Sequence, residues 1–140
     1  MSKENVEFLR GLFAGAAGLD KQALLDALPD LIAQTCDPEI EWVEDPRRAD
    51  RRVYRGHAGV RDSWERWLEN FDEYGFELER IVDCGDRVLV VAHEEGRGSL
   101  SGASISQRIY TVFTFREGKI ARYQEFYEES EALEAAGLQK

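Results

Sequence analysis

The chain has 140 residues, room for one compact domain and little else. With 43% hydrophobic and 11% aromatic residues it can bury a sizeable core, which argues against global disorder. Its formal charge of −10 repels phosphate backbones and anionic headgroups, so nucleic acid and membrane are not expected as partners. No window approaches 18 apolar residues, and the opening MSKENVEFLR lacks the apolar core of a secretory signal, so a cytoplasmic protein is expected. Cys36 and Cys84 stand 48 positions apart with no CxxC motif or Cys/His cluster, the pattern of two ordinary buried thiols rather than a disulfide or zinc framework.

Val6, Leu9, Phe13 and Ala16 fall on one helical stripe, which predicts a first helix over 3–17. Asp20 stands in N-cap position before Ala23, Leu24, Ala27 and Leu28, a second short helix. Pro29 suits the first turn of another helix better than the interior of this one, so Leu31 and Ile32 are assigned to a third short turn ending near Thr35. Ile40, Trp42 and Val43 form a short extended run closed by Asp45-Pro46. Residues 47–55 hold five arginines and imply a loop; its reversal of charge suits either an anion or a solvated surface facing acidic helices. From Gly56, Val60, Trp64, Trp67, Leu68 and Phe71 make the strongest helical stripe of the chain.

Residues 75–128 read as antiparallel strands. Phe76 and Leu78 alternate, Asp83 to Asp86 is a turn, and Arg87 to Glu95 is apolar on both faces. Gly96, Gly98, Ser99, Ser101 and Gly102 suggest a loop before a long strand over 103–116. Glu117-Gly118 marks a hairpin, Ile120 to Tyr127 the last strand, and Ser130 to Ala136 a tail helix ending at Gly137. Helices, a short strand, a long helix and then several long strands point to an α+β class with helices packed on one face of a sheet. Ser, Cys and His fall in no nucleophile motif, no glycine-rich loop precedes a helix, and the two histidines lie 36 apart, so neither cofactor nor metal is expected.

Three stretches add a likeness that periodicity alone does not supply. Glu41-Trp42-Val43-Glu44-Asp45-Pro46, then Tyr54-Arg55-Gly56-His57 opening a long helix, then Phe115-Arg116-Glu117-Gly118-Lys119-Ile120, together resemble the SnoaL-like branch of the NTF2-like superfamily, over nearly the whole chain. The resemblance implies one domain over 1–140: a cone-shaped α+β barrel, helices on a curved, mostly antiparallel sheet, with a pocket between the long helix and the concave face. It also implies a homodimer through the sheet's outer face, to which Tyr110, Val112 and Phe126 lend apolar surface.

The superfamily holds ketosteroid isomerases, polyketide cyclases and plain binding domains, so function rests on the pocket residues. Val43-Glu44-Asp45-Pro46 is similar to the ketosteroid isomerase segment whose Asp shuttles the proton, which makes Asp45 the candidate base; the other reading is a turn-forming Asp-Pro that caps the strand end. The oxyanion donors of that enzyme are not matched: their positions fall on Leu12 and near Thr111 or Gln107. If the resemblance sets the faces, His93, Gln107, Thr111, Tyr123, Glu125 and Tyr127 point into the cone, with His93 and Glu125 as acid/base partners, and Trp64 and Phe113 on its wall. His57 is read as serving the helix start. Two functions follow: a cofactor-free isomerase, cyclase or hydratase acting on an apolar carbonyl or polyketide-like molecule, or a non-catalytic ligand-binding or dimeric scaffold domain.

Overall fold

The computed structural model describes residues 2–48, 51–98 and 104–138. Helix α1 (Ser2–Ala17) is followed by α2 (Lys21–Thr35), whose first turn is capped by the Asp20 carboxylate accepting from the Ala23 N–H at 2.8 Å. Here the predicted break at Pro29 does not occur. Leu24, Leu28 and Ile32 recur at i, i+4 and i+8 on one buried face, and that burial outweighs the lost backbone hydrogen bond.

Strand β1 (Cys36–Val43) begins at the buried Cys36, ahead of the run from Ile40 that the sequence suggested. Part of the arginine-rich segment is strand: β2 (Val53–Arg55) pairs antiparallel with β1. Helix α3 (Gly56–Leu68) begins at Gly56, whose φ of 72° a glycine adopts without strain. Four long strands follow, β3 (Phe71–Asp83), β4 (Arg87–Gly98), β5 (Ser104–Arg116) and β6 (Lys119–Phe126), and then α4 (Glu129–Ala135). Phe71 is thus a strand residue, and Gly96 and Gly98 belong to β4 rather than to a loop. Ser99, Ser101 and Gly102 lie outside the described residues. At Gly96 the Phe71 ring lies where a side chain would stand, 2.7 Å from an added Cβ, so only glycine lets the ring cover the strand.

The six strands form one sheet in the order β2-β1-β6-β5-β4-β3, antiparallel except for the β1–β6 pair. Register shifts in β3 between Leu78 and Arg80, and between β5 and β6 at Thr114 and Phe115, mark bulges that bend the strands. Helices α1, α2 and α3 pack on the concave face, with Leu9, Leu28, Ile32, Ile40, Val60, Val88, Val90 and Phe113 forming the main core.

The outer face carries a second, smaller core. Ala132 and Ala136 of the tail cover Leu89, Val112 and Phe126, and the tail ends in a left-handed Gly137 whose N–H reaches the Glu134 carbonyl while Leu138 reaches Leu133. Val112 and Phe126, offered by the sequence as a dimer surface, are therefore buried within the chain.

Candidate functional site

A cavity of about 170 Å³ remains between the three helices and the concave face. Every strand but β2 contributes to its wall: Trp42 and Glu44 from β1 and its end, Tyr74 and Phe76 from β3, Ala92 and Glu94 from β4, Ile109, Thr111 and Phe113 from β5, Tyr123 and Glu125 from β6. Helix α3 supplies Val60, Ser63, Trp64 and Trp67, and α1 supplies Leu12 and Phe13. The rings are mutually packed. Trp42 stacks on Tyr123 with centroids 3.6 Å apart, Phe113 meets Tyr123 edge-on at 5.3 Å, and Trp64 lies 6.4 Å from both Tyr74 and Phe76.

Three carboxylates face this apolar space, each held differently. Glu125 accepts the Asp45 backbone N–H at 3.1 Å and lies 3.5 Å from the Arg48 guanidinium. Burial pushes its carboxyl up to about 7; the Asp45 N–H and Arg48 oppose the shift, and Glu94 and Glu44 add to it. Glu94, only 3% exposed, accepts the Tyr74 hydroxyl at 2.5 Å and the Gln107 amide at 2.7 Å. Burial, then the Glu94 charge, holds Tyr74 well above the ordinary phenol range. Glu44 accepts the Arg52 N–H at 3.0 Å and faces Arg48 at 3.5 Å. Arg48 also lies over the Trp67 ring, 5.4 Å from its centroid.

Of the residues expected from sequence, Glu125, Trp64, Thr111, Phe113 and Tyr123 line the cavity. Gln107 does not, but it orients Glu94 from behind. Asp45 and Tyr127 are not among the lining residues. Asp45 is fully buried, with one oxygen accepting the Arg47 N–H at 2.6 Å and the other the Tyr127 N–H at 2.7 Å. It ties the end of β1 to the end of β6 and has no oxygen turned to the cavity, so its part in the site is to present its own N–H to Glu125. Tyr127 supplies that backbone N–H, and burial raises its phenol.

His93 is displaced by a single residue of parity. It pairs across β5 with Arg108 while Glu94 pairs with Gln107, so Glu94 looks inward and His93 outward. Its Nε2 lies 2.9 Å from the Ser106 hydroxyl and 3.2 Å from Glu95. Both contacts fall on one ring nitrogen, so they form no relay from acid through imidazole to hydroxyl. His57 serves the fold, as expected, with Nε2 2.9 Å from the Cys36 carbonyl. Among the described residues, no group of three His, Cys, Asp or Glu side chains could hold a metal ion, and no helix is long and apolar enough to cross a membrane.

Glu44, Glu94, Tyr74 and Arg48 are among the site residues that sequence reasoning missed. Hydrophobicity alone does not find Glu94, because His93 shares parity with Leu89 and Val91 just as Glu94 shares it with Val88, Val90 and Ala92. A carboxyl with a pKa near 7 in an apolar space of this kind can both take and return a proton at neutral pH.

The model of the SnoaL-like domain matches residues 21–123. This chain belongs to the SnoaL-like family. Among solved structures, it resembles TerC co-crystallised with polyporic acid at 21% identity and a TM-score of 0.66, covering 96% of this chain and 98% of that one. It is similar to a protein from Jannaschia sp. CCS1 designated a SnoaL-like polyketide cyclase, with 20% identity and a TM-score of 0.71 over 99% and 94% of the chains. An NTF2-like protein from Burkholderia xenovorans LB400 shares 24% identity with a TM-score of 0.65, covering 97% of each chain. At these identities the likeness establishes the family's α+β fold and leaves the chemistry to the side chains. No curated protein matches the chain in sequence.

Proposed function

We propose that the cavity binds a small, largely apolar molecule and that Glu125 moves a proton on it, making the chain a cofactor-free acid/base catalyst for a carbonyl or polyketide-like substrate. One observation carries the reading: Glu125 is the cavity carboxyl whose burial brings its pKa to about 7, where it changes protonation state at neutral pH. Asp45 acts through it. The Asp45 N–H partly stabilises the carboxylate form, and Arg48 does the same from the other side. The TerC structure, of the same fold, contains polyporic acid, which supports a small molecule as the occupant here.

Solvent-deuterium incorporation into ring-sized enolisable ketones, followed by NMR, tests the reading. Wild type should catalyse exchange, and Glu125→Gln should lose roughly 100-fold or more, the usual contribution of a positioned proton carrier. Equal rates for the two proteins would remove Glu125 from the chemistry.

A binding role without turnover is the second reading. It is favoured by Glu94, both of whose oxygens are committed to Tyr74 and Gln107. Saturable stabilisation by ligands with no exchange in any of them would select it. A homodimer through the sheet's outer face would have to use Tyr110, Arg108 and Gln124, since Val112 and Phe126 are already covered.

A further inference from the structure

Charge does not balance among the side chains that line the cavity. Glu44, Glu94 and Glu125 face it, and Arg48 is the lysine-or-arginine side chain among its lining residues. Arg48 stands 3.5 Å from Glu44 and 3.5 Å from Glu125. Glu94 has no such neighbour: its two oxygens are held by a phenol and an amide, both neutral, and among the described residues no Lys, Arg or His nitrogen lies within 4.0 Å of it. A carboxylate that is 97% removed from solvent is ordinarily answered by a cation. The rest of the wall presents aromatic rings, including Trp42, Trp64, Tyr74, Phe76 and Tyr123, whose faces carry negative potential. Rings and carboxylates together disfavour an anion, leave a neutral molecule without compensation to offer, and attract a cation through both contacts. The chain's net charge of −10 acts in the same sense at longer range.

We propose that the ligand of this cavity is a small organic cation: an ammonium-bearing molecule whose positive end faces Glu94 and Glu125 and whose apolar body lies among the rings. The inference narrows the substrate of the site proposed above to one that carries an ammonium group beside its carbonyl and apolar body, and it rests on that cavity being a binding site. The available space, about 170 Å³, matches a body of roughly one ring, since a dry cavity of about 150 Å³ takes up benzene. Glu94 then acts as a specificity residue, held in one orientation by Tyr74 and Gln107 so that its charge is in place before the ligand arrives.

An isosteric series separates charge from shape: benzylamine, benzyl alcohol and benzoate, titrated calorimetrically into the whole chain at pH 7.5, with fluorescence of the lining tryptophans as a second signal. Benzylamine should bind at least tenfold more tightly than benzyl alcohol, and benzoate most weakly. In Glu94→Gln the amine should lose most of that advantage while the alcohol binds as before. The preference should persist in 0.5 M NaCl, where surface attraction is screened within a few ångströms. Should Glu94→Gln fail to fold, Glu125→Gln gives the same comparison and should also narrow the gap. Equal binding of amine and alcohol, or an advantage that vanishes in salt, overturns the cation assignment and leaves the binding site standing. Absence of any binding or tryptophan response to all three overturns both.

Discussion

Substituting Glu125 by glutamine removes an ionisation from the cavity while keeping the side chain's size, and the structure sets the consequence for stability. The carboxyl is pushed from its ordinary 4.5 to about 7, and its side chain is only 12% exposed, so solvent screens the effect little. The folded state therefore holds this proton more tightly than the unfolded chain does. The stability that Glu125 contributes is fully present below pH 4.5 and is lost as the pH rises through 7. At 1.36 kcal/mol per pH unit, the gap amounts to about 3 kcal/mol. Urea unfolding of wild type and Glu125→Gln from pH 4 to pH 8 isolates this contribution, because every other titrating group is common to both proteins. The stability difference should tilt toward the glutamine variant by about 3 kcal/mol across that range, or on the order of 10 °C in Tm for a chain of this size. A difference that stays flat with pH would show a carboxyl titrating as if exposed, and the reasoning from a partly dry cavity would fail.

Asp45→Asn should destabilise the fold by about 1–3 kcal/mol, because the amide places a donor against the Arg47 or Tyr127 N–H that the carboxylate now accepts; denaturant unfolding at pH 7 checks this. His93→Ala should change stability by no more than about 1 kcal/mol and leave ligand binding and proton exchange unchanged, since its contacts with Ser106 and Glu95 lie on the outer face. A large loss of exchange in His93→Ala would contradict the strand register described above.

The fold was legible wherever one physical signal acted alone. The stripe on α3, the Glu117-Gly118 hairpin with both residues at positive φ, and the Schellman end at Gly137 are local patterns with local causes. Pro29 misled because its cost is local, whereas the burial of Leu24, Leu28 and Ile32 that carries α2 past it is tertiary. Half the candidate site was readable through the family resemblance. On β5 it assigned the face of Thr111 and Phe113 to the cavity, although Val112 on the other face is as buried as they are. On β4, Leu89 and Val91 are as buried as Val88 and Val90, because the tail helix covers one face and the main core the other. Parity is then undetermined by hydrophobicity, and His93 was chosen where Glu94 stands. Asp45 misled differently. Its carboxylate oxygens are taken by the N–H groups of Arg47, two residues on, and of Tyr127, and the second pairing is visible only in three dimensions.

The central claim is that a carboxyl inside an apolar hollow gains and loses its proton near neutral pH rather than near 4.5. A carbon-13 NMR titration of the glutamate carboxyls, with Glu125 assigned by its loss in Glu125→Gln, tests this most directly. The account predicts a midpoint near 7 that moves further up when benzyl alcohol fills the space and displaces the remaining water. A midpoint between 4 and 5, indifferent to the alcohol, would contradict it.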